Sequence, residues 1–192
     1  MCRVEDGARD RLVRGAGELL WERGYVAASP RAIQQRAYAG QGSMYHHFAT
    51  KHALAREAIT VLADDAERPA EAVFAGTGTA LARVVGYLRM ERDVLLGCPV
   101  GRLTQDPEVA ADDELRRPVQ RHLSWLTEQL TGLLTQARHD GELPAELDPV
   151  ATAAAVAATV QGGYVLARAA GDPAPQLRAI EGLVALLTRT GC

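Results

Sequence analysis

Aromatic residues are scarce in this chain: Phe, Trp and Tyr make up 5% of 192 residues, with two Phe and two Trp. Strands favour aromatic and β-branched side chains, whereas alanine and leucine dominate here, so the fold class is expected to be all-α. Cysteine is nearly absent. Cys2, Cys98 and Cys192 stand alone with no CxxC pair, which excludes a zinc knuckle and a disulfide framework. No apolar run approaches the roughly 20 residues of a membrane span, and no signal peptide precedes the first polar helix. The expectation is a cytoplasmic protein without a membrane partner. There is no Ser/His/Asp set, paired-carboxylate spacing, phosphate loop or metal-ligand cluster. The reading is therefore no enzyme, no cofactor and no metal. Internal repeats are lacking too, and only the alanine tract around Ala151–Ala158 is low in complexity.

The charge is unevenly distributed. Residues 1–56 hold nine Arg or Lys against five acids, a net +4, while the remaining residues hold twelve against nineteen, a net −7. A basic head on an acidic body suits a head that meets phosphate.

Within that head the stretch Ala37–Lys51 concentrates Gln41, Ser43, Tyr45, His46 and His47, and ends on the only lysine of the protein. These side chains are of the kind that touch DNA backbones and base edges. Two short helices are expected before it. The first runs from about Ala8 to Arg23, with Leu12, Ala16, Leu19 and Leu20 on one face. Gly24 suits its left-handed end, and Tyr25 is expected to fold back on it. Ser29-Pro30 predicts an N-cap and a proline in the first turn of a second helix, about Pro30 to Ala37. Arg31 lies in that first turn, where a cation opposes the helix dipole unless a phosphate sits there. The third helix is predicted over about Gln41 to Phe48, with Met44 and Phe48 buried and Gln41, Ser43, Tyr45 and His46 outward. His47 is expected to pack sideways and His52 to be solvated. Thr50 should cap a fourth helix running from Lys51 towards Pro69.

Further along, helices are expected over about Thr77–Leu96 and Asp112–His139, separated by a Gly97-Cys98-Pro99 break and a short segment to Pro107. Gly141 ends the second of them. Asp148-Pro149 and Asp172-Pro173 predict the starts of two last helices, about 149–170 and 173–189. Ala151, Ala154, Ala155, Ala158 and Gly162 give the first of these a face for close approach. Leu177, Ile180, Leu183, Val184 and Leu187 line the other. Such a pair suits a four-helix interface across a twofold axis.

Residues 8–56 resemble the DNA-binding domain of the TetR family of transcriptional regulators. The resemblance rests on Glu22-Arg23-Gly24-Tyr25, on Ser43-Met44-Tyr45-His46-His47-Phe48 and on Lys51-x-x-Leu54, at the family's mutual spacing. Residues 97–103, Gly-Cys-Pro-Val-Gly-Arg-Leu, also resemble an element found in the effector domains of one subset. The resemblance implies a helix-turn-helix domain over 1–52 and a ligand-binding and dimerisation domain over 53–192. It implies a homodimer on a double-stranded, palindromic operator, with a small, largely apolar effector releasing a repressor. Gln41 and Ser43 would reach base edges, Tyr45, His46 and Lys51 would hold phosphates, and Ser29 would touch the backbone. Tyr38 stands where the family has its turn glycine, which predicts either an altered turn or a tyrosine that itself meets DNA. Gly40 and Gly42 loosen the start of the third helix and suggest that it orders fully on DNA.

Tyr87, Met90, Cys98, His122, Trp125 and Tyr164 are the candidates for lining an effector cavity between helices. Two rivals remain: a regulator of the same fold that senses redox through Cys98, and a helical bundle with no DNA function.

Overall fold

The computed structural model describes residues 7–189. Cys2, Cys192, Arg3, Glu5 and Asp6 lie outside them. Among the described residues there are nine α-helices, one 3-10 helix and no strand, as the Ala/Leu-rich composition demands. The described residues divide into two compact units: 7–66 with 99–122, and 67–98 with 123–189.

The first unit opens with α1, Ala8–Ala27. Leu12, Ala16, Leu19 and Leu20 are buried, each no more than 2% exposed. The α-helical backbone is interrupted at Gly24, with φ 80° and ψ 177°, a combination open essentially to glycine alone. One more turn follows it. α2, Pro30–Arg36, is capped by the Ser29 hydroxyl, which accepts from the Ala32 amide at 3.2 Å. α3, Gln41–His47, buries Met44 and is followed by buried Phe48. α4, Lys51–Phe74, begins at Thr50, whose Oγ1 accepts from the Ala53 amide at 3.0 Å. It continues past Pro69, where a stop was expected. Pro69 is exposed.

The segment from residue 99 returns to this unit. A 3-10 helix, Gly101–Gln105, leads into α6, Pro107–Ala111, and then α7, Asp113–His139. α1 packs on α2, α3, α6 and the 3-10 helix. α6 was missed in the sequence, although Asp106-Pro107 carries the same cap-plus-proline signal as Asp148-Pro149.

The second unit contains α5, Ala80–Arg89, half the expected length. Arg92 explains the early stop: its guanidinium donates to the carbonyls of Tyr87 at 2.5 Å, Leu88 at 3.1 Å and Met90 at 2.7 Å. Those are the orphan acceptors of a helix C-terminus. Gly97 at φ 85° and Gly141 at φ 76° make the two predicted breaks. α8, Pro149–Ala170, starts at Asp148, which accepts from the amides of Val150 and Ala151. α9, Ala174–Thr188, packs along α8. Their approach is close, since a Cβ on Gly163 would lie 2.5 Å from Gln176 Cγ.

One sequence expectation needs correcting here. α8 has 22 residues and holds an 18-residue window of mean hydropathy 1.5, so by length and composition it could cross a membrane. Its apolarity is that of alanine, and Ala153, Val156, Val160 and Ala167 are buried.

Candidate nucleic-acid interface

α3 is held from behind and left bare in front. Met44, fully buried, accepts from Gln34 Nε2 at its sulfur at 3.4 Å, and Phe48 lies beneath the Arg9 guanidinium, 5.3 Å from the ring centre. α2 is fixed to α1 by Arg36, which donates to Glu18 at 2.7 Å and to both oxygens of Glu22 at 2.9 Å. That bidentate pair holds the Glu22 carboxyl below its ordinary range. Arg11 adds a bond to the Ala37 carbonyl at 3.2 Å. Against this rigid backing Gln41, Tyr45 and His46 are exposed and Ser43 half-buried, on one short helix. A Cβ at Gly40 or Gly42 would meet nothing within 4 Å, so the start of α3 faces open space.

Tyr38 leaves the turn itself unaltered. The turn keeps its left-handed backbone, φ 50°, the one positive φ at a non-glycine among the described residues. The side chain is 91% exposed, beside α3. Ser29 is committed to its cap, and Arg31 is exposed with no partner among the described residues.

Lys51 has an unexpected setting. Its ammonium donates to the Tyr25 carbonyl at 2.6 Å and sits 4.0 Å from the centre of the Tyr25 ring. Burial there lowers its pKa, as desolvation of an ammonium should. Tyr25 does not fold back as a hydrophobic contact. Its amide donates to Asp106 Oδ2 at 2.6 Å, and a Cβ on Gly24 would lie 2.7 Å from that oxygen.

Two histidines depart from expectation. His47 is exposed, 5.1 Å from the His46 ring, because α3 is too short to bury a third face. His52 is paired with Asp112, Nε2 to Oδ2 at 3.0 Å. Asp112 also caps α7 through the amides of Glu114 and Leu115. The Leu115 amide and then His52 hold its carboxyl below the usual range.

The candidate effector residues fall in different places. Tyr87, Cys98 and Tyr164 are buried in the second unit, and burial raises the pKa of both phenols. Met90 follows the end of α5. His122 is buried too, but belongs to the first unit. Trp125 lines a groove of about 470 Å³ with Phe74, Arg83, Glu71 and Glu128, none of which the sequence reading had singled out. Gly132, on the same groove, was the legible signal: a glycine inside a long helix costs about 1 kcal/mol relative to alanine and asks for a reason. No group of His, Cys, Asp or Glu suited to a metal occurs among the described residues.

Comparison with known proteins decides what these units are. Residues 12–58 match the bacterial regulatory proteins of the tetR family, and residues 79–183 match the tetracyclin repressor-like C-terminal domain. The chain belongs to the TetR family. It is 29% identical over 175 residues to the transcriptional regulator AcuR of Cereibacter sphaeroides, covering 88% of this chain and 80% of that one. A TetR regulatory protein from Rhodobacter sphaeroides shares its fold, with a TM-score of 0.81 at 28% identity over 92% of this chain and 97% of that one. The TetR-family regulator CifR, solved with 26-bp operator DNA, has a TM-score of 0.76 at 24% identity, covering 96% and 97%. The first unit of this TetR-family member thus carries the family's helix-turn-helix, and the chain is a DNA-binding transcriptional regulator. In it α2 is the supporting helix and α3 the one with an open face.

Proposed function

We propose that this regulator is a cytoplasmic repressor that grips a pseudo-palindromic operator as a homodimer and lets go when a small, largely apolar effector binds its second unit. One observation carries the reading: an apolar stripe along α8 that none of the described residues covers. Ala151, Ala154, Ala155, Ala158, Gly162, Val165 and Leu166 are all exposed at helical spacing, and Leu177 and Leu186 of α9 are 57% and 69% exposed. Small residues let two helices approach closely, and a twofold axis lets one such stripe serve both partners. A twofold pair of α3 helices then calls for half-sites about 34 Å apart, or a multiple. CifR, a relative at 24% identity, binds operator DNA, which supports the same use of α3 here.

In this reading Gln41 and Ser43 meet base edges, while Ser29, Arg31, Tyr38, Tyr45 and His46 meet the backbone. Lys51 joins them by exchanging the Tyr25 carbonyl for a phosphate. An effector that favours the DNA-incompetent state by a few kcal/mol is enough to empty the operator. α4, which starts at Lys51 and contributes to both units, is the proposed carrier of that change.

The test is sedimentation of the wild type and of Ala158→Arg with a fragment of the protein's own upstream region. Two protomers per operator and a monomeric, non-binding variant are expected. A wild-type monomer that binds DNA tightly would end the dimer reading.

A further inference from the structure

The groove on the second unit has unfinished chemistry. Arg83 donates from Nη1 to the Phe74 carbonyl at 3.0 Å and from Nη2 to Gln136 Oε1 at 2.9 Å. Its Nε is buried without any partner, the only side-chain nitrogen or oxygen among the described residues in that state. A buried donor left unmade is costly, and more so on a charged group. Among the described residues Arg83 has no carboxylate partner, while the Glu71 and Glu128 carboxylates on the same groove are exposed and unpaired. The apolar part of the wall is aromatic: Phe74 and Trp125 stand 6.1 Å apart at 45°. At Gly132 the wall has no side chain, and a Cβ would meet nothing within 4 Å. The groove therefore offers a guanidinium without a carboxylate partner, two unpaired carboxylates and an aromatic surface, in about 470 Å³, the volume of a small-molecule site.

We propose that this groove binds a small aromatic zwitterion. Its ring lies against Phe74 and Trp125, its carboxylate pairs with the Arg83 guanidinium, and its cationic nitrogen sits beside Glu71 and Glu128. A plain organic anion would face two carboxylates, and a plain organic cation would leave the Arg83 guanidinium without a counter-ion. Only a molecule with both charges meets all the groups. Binding stands apart from the effector reading above; only its consequence at DNA rests on that reading.

The chain has two tryptophans, Trp21 and Trp125, so Trp21→Phe leaves the one in the groove as sole reporter. Fluorescence titration of the full-length protein uses three matched probes: free phenylalanine, phenethylamine and 3-phenylpropanoate. Phenylalanine should saturate the signal with at least tenfold higher affinity than either half-molecule. Arg83→Gln should reduce phenylalanine to the level of phenethylamine. The double change Glu71→Gln with Glu128→Gln should reduce it to the level of 3-phenylpropanoate. Gly132→Leu, which has room for its side chain, should weaken phenylalanine binding at least tenfold without lowering the melting temperature. No saturable response to any probe, a half-molecule that binds as well as phenylalanine, or unchanged affinity in Gly132→Leu would overturn the proposal. Operator affinity with and without phenylalanine then tests the effector reading by itself: binding without release keeps the site and removes its regulatory role.

Discussion

In the first unit, side-chain hydrogen bonds join residues far apart in the chain: Arg36 to Glu18 and Glu22, Tyr25 to Asp106, Lys51 to Tyr25, His52 to Asp112. In the second, Arg89 to Glu181 and Arg83 to Gln136 are ties of the same kind, but the long α8–α9 seam is built of alanine, valine and a glycine pressed on Gln176. A mesh of directional bonds holds a reading head in one geometry, because each bond fails outside a narrow range of angles. Packing of small residues is far less directional and leaves a smooth outer stripe free for another copy. The two chemistries fit the two tasks assigned above, a fixed head and a body that associates.

Breaking the smooth body should have the largest effect. Ala158→Arg places a charge on the uncovered stripe, and operator affinity should fall at least 100-fold through loss of the dimer, read by light scattering and by titration of labelled operator. Unfolding of the wild type should depend on protein concentration, and that of the variant should not.

The mesh should break next most severely at Gly24. Gly24→Ala forces an alanine into backbone reserved for glycine and drives its Cβ onto Asp106 Oδ2. The loss of stability should be about 3 kcal/mol, from backbone strain and the broken charged hydrogen bond, measured by urea unfolding. A loss under about 1 kcal/mol would show that the Tyr25–Asp106 tie matters little.

Acid should loosen the mesh, and with it the Arg89–Glu181 pair of the body, whose carboxyl Arg89 also holds low. Glu22 and Asp112 have folded pKa values below their unfolded ones. Their contribution is therefore complete above the unfolded carboxylate value of about 4 and disappears as pH falls through the lower folded value. Thermal melts across this range should show stability steady down to about pH 5 and falling below it. Asp112→Asn should flatten that fall while leaving the neutral-pH dimer intact.

The smallest effect is expected at Tyr38. Tyr38→Gly removes a left-handed tyrosine that packs on nothing, so stability should change by less than about 1 kcal/mol. Operator affinity should drop several-fold, as measured by fluorescence anisotropy. An unchanged affinity would show that its exposed ring does not reach DNA.

How much of this was legible follows the same contrast. The head could be read because its signals are local: a cap and proline at Ser29-Pro30, a glycine where the backbone turns left-handed, Met44 and Phe48 four apart. What the sequence hid are the long-range ties. Nothing near Lys51 in the chain reveals that the Tyr25 carbonyl and ring receive its ammonium, and nothing near Tyr25 points to Asp106. In the body, the cap at Asp148 was plain, whereas α9 starts one residue later than Asp172-Pro173 suggested, with Pro173 at its N-cap. The early end of α5 was not plain, because it depends on Arg92 folding back over three carbonyls. The groove was invisible for a related reason: Arg83 looks like an ordinary helix arginine until the burial of its Nε is seen.

The most direct test of the central claim, that the open face of α3 holds DNA, is operator affinity of wild type and Tyr45→Ala measured from 50 to 300 mM salt. Tyr45 is 47% exposed beside buried Met44, so its loss should leave the fold intact. The account predicts wild-type binding that weakens steeply with salt as phosphate contacts are screened, and a variant at least tenfold weaker throughout. Equal affinity of the two proteins, or binding indifferent to salt, would contradict it.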